Sequence, residues 1–181
     1  MVKYIFSFIL LSILQFTSLD AAVSILGNTD AATCYNHAKL GYSSRSSINT
    51  CLKSLSEKPS TGRTHFATRV NLGIIYNNGL KPNLALEQFE LTIIIESVKA
   101  ETLLNQGNSF YLLKDFNGAL KKYNDALELG INDISAVYYN KGLVFEKLGN
   151  TEEAVLFYKK AVSLNPELMT IFNKRVELNQ S

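Results

Sequence analysis

Five positions return in step three times along this chain, and that recurrence limits the folds open to it more than any other feature. Gly73, Gly107 and Gly142 lie 34 and 35 residues apart. With them travel Tyr76, Phe110 and Phe145, then Ala85, Ala119 and Ala154, then Phe89, Tyr123 and Tyr158. Thr92, Ala126 and Ala161 form a looser fifth column. The clearest copy, 136–166, reads as two amphipathic helices joined by a turn, with small and apolar residues at helical spacing. Gly149 suits a left-handed helix end, Thr151 an N-cap followed by Glu152 and Glu153, and Pro166 a stop. One hairpin of this size cannot bury both its faces. The copies must therefore stack, and a helix–turn–helix at a period near 34 residues predicts a solenoid.

These columns resemble the tetratricopeptide repeat (TPR). The resemblance covers about 28–168 and is strongest at 135–168. It implies an all-α fold, a right-handed α-solenoid of stacked helix–turn–helix repeats with a C-terminal capping helix. The boundaries are a degenerate repeat 1 at 28–61, repeats 2 to 4 at 66–99, 100–134 and 135–168, and a cap at 169–181. In repeat 1, Ser47, Cys51 and Ser54 stand 38 residues before Ala85, Phe89 and Thr92, and Pro59 closes the unit. The excess residues fall near Ser60–His65, which places His65 in an inserted turn. The first helix of repeat 2 is expected over Arg69–Asn78, ended by Gly79. Ile93, Ile94 and Ile95 cannot share one helix face, so two are expected in the inter-repeat core and one against another surface. A dimer contact is the alternative. In the cap, Leu168, Ile171, Phe172, Val176 and Leu178 should face inward, with Asn173, Lys174, Arg175 and Glu177 outward.

Residues 1–22 read as a secretory signal peptide. Lys3 supplies the positive start, Tyr4–Leu14 the apolar run, and small residues allow a cut after Ala21 or Ala22, or after Ser24. The apolar run is shorter than the ~20 residues that span a bilayer, although an uncleaved anchor is the alternative. Resemblance to small exported TPR proteins of proteobacteria implies the periplasm. Cys34 and Cys51 fall at about the same height on the two antiparallel helices of repeat 1. An oxidising compartment then predicts a Cys34–Cys51 disulfide. A thiol-redox protein is the alternative, without a C-x-x-C arrangement to support it.

Hydrophobic residues make up 46% of the chain, which excludes a disordered protein. A net charge of +2 without a dense Lys/Arg cluster does not indicate nucleic acid. His37 and His65 lack metal-ligand spacing, and no phosphate loop or nucleophile elbow occurs. No enzyme, cofactor or metal is therefore expected, and no membrane association after leader removal. A protein or peptide partner remains.

The first helices of TPR arrays line a concave groove. The resemblance implies that Asn71, Asn105 and Asn140, each two residues before a repeat glycine, face that groove and hydrogen-bond the backbone of an extended peptide. A side-chain amide donates and accepts, so it can pair with any peptide unit. The alternative is that these asparagines tie neighbouring helices together. Ile74, Asn78, Leu104, Asn108, Tyr111, Tyr139, Leu143 and Lys147 are the further groove-facing candidates. TPR domains that grip a C-terminal carboxylate place Lys or Arg where this chain has Val70, Leu104, Glu101 and Ala136. An extended, partly apolar segment is the better fit. A self-assembling cell-envelope component, built on the isoleucine patch, is a further alternative.

Overall fold

A computed structural model describes Leu19 and residues 22–25, 29–57 and 62–179, the side chains of Glu57 and of 176–179 excepted. Most of the leader, Pro59, and the side chains of Val176, Glu177 and Leu178 lie outside the described residues.

Four helical hairpins follow one another. They are α1 (Asp30–Lys39) with α2 (Arg45–Glu57), α3 (Arg63–Asn78) with α4 (Pro82–Glu90), α5 (Lys99–Leu112) with α6 (Phe116–Glu128), and α7 (Ile134–Lys147) with α8 (Thr151–Leu164). A last helix, α9 (Met169–Asn179), packs on α8. The described residues contain no strand. Each hairpin touches the next, and the first helices α1, α3, α5 and α7 also meet in sequence. That is an α-solenoid, held by contacts between neighbours. No helix among the described residues is long and apolar enough to cross a membrane.

The repeated columns explain the stacking. Phe89, Tyr123 and Tyr158 are almost wholly buried, and each ring packs against the glycine of its own repeat: Gly73, Gly107 and Gly142. A Cβ on these glycines would lie only 2.4, 2.3 and 2.5 Å from the nearest ring carbon. The small residue therefore makes room for an aromatic side chain from the second helix. Ala85, Ala119 and Ala154 are fully buried at the same crossings. Thr92 occupies the loosest column, buried, with its hydroxyl donating to Phe89 O and paired with Thr102 Oγ1 at 3.1 Å.

The turns depart from expectation in detail. Gly149 adopts the left-handed conformation at φ 76°, as anticipated. In repeats 2 and 3 that conformation falls instead on Leu80 (φ 54°) and Lys114 (φ 63°), while Gly79 has an ordinary φ of −86°. Thr151 is the first helical residue and not the cap. Asn150 caps α8, its side chain accepting from Glu153 N. Asp115 and Asp133 cap α6 and α7 in the same way.

Three expectations about segments are corrected. His65 lies in the first turn of α3, where its Nε2 accepts from Arg69 Nε, because the helix starts at Arg63, after Gly62. The apolar run after Glu90 is not helical: residues 91–94 turn, and Glu96–Val98 form one 3-10 turn. Ile93 and Ile95 pack on the core while Ile94 is 81% exposed, so the division of two inward and one outward holds. In the cap helix, Ile171 is exposed and Arg175 is buried, the reverse of the expected sides. Arg175 is drawn inward because buried acceptors wait for it (below).

Candidate peptide groove

Two of the three column asparagines, Asn71 and Asn140, bond main-chain groups of this protein's own N-terminal segment, at Val23 and Leu19, while Asn105 bonds within its own helix. Asn71 sits on α3, fully buried. Its Oδ1 accepts from Val23 N and its Nδ2 donates to Val23 O, both at 2.9 Å. Asn140 on α7 treats Leu19 likewise: Leu19 N donates to Oδ1 and Nδ2 donates to Leu19 O, each at 2.7 Å. A main-chain donor and acceptor on the same residue also fix which way each amide points. Asn108 on α5 adds a third contact, Nδ2 donating to Leu19 O at 3.1 Å.

These amides are braced from behind. Asn108 Oδ1 accepts from Asn140 Nδ2 and from Tyr123 Oη, both at 2.9 Å. Tyr123 is the ring that covers Gly107, so the packing column and the groove share one residue. Asn105 Nδ2 donates to Glu101 O, one turn back on its own helix, and Asn105 Oδ1 accepts from Asn108. Asn77 reaches from α3 to α5: its Nδ2 donates to Asn105 O and its Oδ1 accepts from Ser109 Oγ. The two readings of the asparagine column therefore coexist. Some amides meet a peptide backbone, and others join repeats. Every one lies in a buried, fixed setting where an unmade bond is costly.

Apolar candidates form the floor. Val70 and Ile74 belong to the cluster that buries Val23, with Ala22 and Ile25 packed on its edge. Leu104, Tyr139 and Leu143 belong to the second cluster, on which Leu19 packs. Asn78 borders an open hollow of about 870 Å³ that Leu19, Ala22, Val23 and Ser24 also line. Glu101 and Asp133 line it too. Lys147 is exposed at the C-terminal end of α7.

A polar knot ties α9 to α7 and α8. Arg175 of α9 donates from Nε to Tyr139 Oη at 2.9 Å, and from Nη1 to both carboxylate oxygens of Glu146 at 3.1 Å. Tyr158 Oη donates to Glu146 at 2.7 Å. The guanidinium also lies over the Tyr139 and Tyr158 rings, at 5.5 and 5.7 Å. Burial raises the pKa of Tyr139 and Tyr158. Burial, with the Glu146 charge, pushes Tyr111 up to about 12. Tyr111 Oη has no partner among the described residues. Sequence reasoning missed Arg175: one arginine in a polar stretch carries no sign of being buried.

Cys34 and Cys51 form a disulfide between α1 and α2, and neither residue is exposed. Exchange needs access to a sulfur, so this burial suits a structural bridge.

A stack of helical hairpins held by contacts between neighbours defines a class, the all-α helical-repeat solenoid. The comparisons with known proteins refine it. A family model described as the tetratricopeptide repeat matches residues 135–168. The type IV pilus assembly protein PilF of Pseudomonas aeruginosa is 26% identical over 144 residues, 77% of this chain and 56% of PilF. The Hsp70-Hsp90 organising protein of Plasmodium falciparum is 37% identical over 60 residues, 33% of this chain and 10% of that protein. The STIP1 homolog of Dictyostelium discoideum is 35% identical over 69 residues, covering 38% and 12%. This chain thus spans little more than half of PilF and a small part of the other two. A crystal structure of MamA superposes with a TM-score of 0.57 at 19% identity, covering 86% of this chain and 89% of that one, which bears on fold alone. The chain thus carries a match to the tetratricopeptide repeat at 135–168, within an all-α array of stacked helical hairpins.

Proposed function

We propose that this protein is a non-enzymatic interaction module that takes an extended segment of another protein into its concave groove. One observation carries the reading. Asn71 and Asn140 each pair both amide atoms with the main-chain N–H and C=O of a single residue, Val23 and Leu19. That geometry recognises backbone and leaves side-chain choice to the apolar floor. Relatives named a type IV pilus assembly protein and an Hsp70-Hsp90 organising protein agree with work done on other proteins.

We place this activity in an exported compartment, the periplasm. The charged start and apolar run of the leader support it, as does a buried disulfide, which persists in oxidising surroundings. N-terminal sequencing of the protein recovered from cells tests the leader. The intact Met1 start would count against export with cleavage. For the groove, a photo-crosslinking residue at Asn78 is compared with one at Lys159, which is exposed on α8. Adducts specific to position 78 are expected. Identical adduct patterns at both positions would refute the groove assignment.

A further inference from the structure

We infer that this protein associates with further copies of itself edge to edge, the lysine-bearing turns at one edge of the array meeting the acidic connections at the opposite edge of the next copy.

Antiparallel hairpins stacked side by side put every turn within a hairpin at one edge of the solenoid, and every connection between hairpins at the other. In repeats 2 to 4 each edge exposes a large apolar residue once per repeat. At the first edge these are Leu80 (75% exposed), Leu113 and Leu148. At the second they are Ile94 (81% exposed), Leu129 and Leu164, which follow one another at intervals of 35 residues. Leu80 and Ile94 are the two most exposed large apolar side chains among the described residues, and they lie in the same repeat, one at each edge. Leu80 is held there at a φ of 54°, a left-handed conformation that costs a branched residue more than glycine. Its side chain gains little burial within the chain in return.

Charge separates the two edges. At the first, a lysine adjoins each apolar residue: Lys81 follows Leu80, Lys114 follows Leu113, and Lys147 precedes Leu148. Lys39 and Arg45 flank the turn of repeat 1. These cations outnumber the local acids, Asp115, Glu152 and Glu153, at the starts of α6 and α8. Glu146, in the last turn of α7, is already held by Arg175. The second edge is the reverse. Glu90, Glu96, Glu128, Asp133 and Glu167 border its connections, against Arg63 and Lys99. Lys99 is itself 3.7 Å from Glu96. Lys81, Lys114, Glu90, Glu128 and Glu167 make no ion pair among the described residues, so these charges are available to a partner.

An anionic membrane would match the lysine edge and leave the acidic one without a counterpart. A second copy of the chain matches both. Its apolar row has the same one-per-hairpin spacing, so the two rows can meet in register with lysines set beside carboxylates. The contact joins two different surfaces, and each copy therefore keeps one edge for a further neighbour. It uses turns rather than the groove, and it does not depend on the peptide reading above.

Sedimentation velocity of the purified protein tests this at about 50 mM and about 500 mM salt, because added salt screens exposed charges. The wild type should exceed the monomer mass at low salt and fall towards it at high salt. Two charge-reversed variants follow, Lys81→Glu with Lys114→Glu, and Glu90→Lys with Glu128→Lys. All four positions are exposed, and far-UV circular dichroism checks that the helices persist. Each variant alone should associate at least about tenfold more weakly than the wild type, since its edges then repel. An equimolar mixture of the two should associate again, the acidic edges of one variant meeting the basic edges of the other. A wild type that stays monomeric at low salt, variants that associate like the wild type, or a mixture that stays monomeric would each overturn the inference. A monomeric wild type that instead binds phosphatidylglycerol vesicles, and loses them in the lysine variant, would assign that edge to a membrane.

Discussion

Gly142→Ala tests the packing rule that builds the array, because two opposing effects predict opposite signs. Helix propensity favours alanine by about 1 kcal/mol at an interior position of α7. Sterics oppose it. The new Cβ would lie 2.5 Å from Cδ1 and Cε1 of Tyr158, against an optimum near 3.5–4.0 Å between carbons. The ring would have to retreat by about 1 Å or more. It has little freedom to do so. Tyr158 is 1% exposed, its hydroxyl donates to Glu146, and its ring lies 5.4 Å from that of Tyr139. Overpacking costs about 1–3 kcal/mol, and loss of a hydrogen bond to a carboxylate adds about 1.5–3 kcal/mol. Sterics should win, with a net destabilisation of about 2–4 kcal/mol. Urea unfolding followed by far-UV circular dichroism measures it as a lower midpoint. The control is Tyr158→Ala, in which the obstructing ring is gone. There Gly142→Ala should stabilise by about 1 kcal/mol, the propensity effect alone. A stabilised Gly142→Ala in the wild-type background, or the same loss in both backgrounds, would refute the argument.

Arg175→Ala should cost about 3–5 kcal/mol in thermal or urea unfolding, since it removes the cation paired with the largely buried Glu146 carboxylate and leaves it the Tyr158 hydroxyl, and a loss under 1 kcal/mol would mean that the knot is solvated. Stability should fall steeply above pH 10. Tyr111 titrates near 12 when folded and near 10 when unfolded, so the unfolded chain loses its proton first and each pH unit in that window costs up to about 1.4 kcal/mol. Tyr139 and Tyr158 shift the same way and steepen the loss, and a flat profile between pH 10 and 12 would contradict their burial. Reducing the Cys34–Cys51 bridge should destabilise the first repeat by about 3 kcal/mol, as expected for a loop closed 17 residues apart. Because both cysteines are buried, mild reductant should act only as fast as that repeat opens, and immediate reduction of the folded protein would count against it.

Local patterns carried most of the architecture. The glycine, alanine and aromatic columns are short-range rules about which side chains fit between two adjacent helices, so they can be read in one dimension. Errors came where a position had to be judged by its surroundings. His65 looked like part of an insertion because the period was counted from Arg69, yet nothing before it stopped the helix until Gly62. Ile171 and Arg175 looked correctly sided by polarity alone. Arg175 turns inward because Glu146 and Tyr139, on a helix some thirty residues earlier, leave buried acceptors that only a cation with several donors can satisfy.

The groove divides in the same way. Its asparagine column was legible, since the residues sit at a constant offset from the repeat glycine. What lies in it was not. The stretch from Leu19 to Ile25 reads as the end of a leader, with no periodicity of its own and no mark of a partner. Hydrophobic spacing and turn chemistry act between residues a few positions apart, and they were enough to specify a stack of hairpins. Pairing Leu19 with Asn140 spans 121 positions of chain. It exists because four hairpins, once stacked, carry that amide to the place where the chain's own beginning passes.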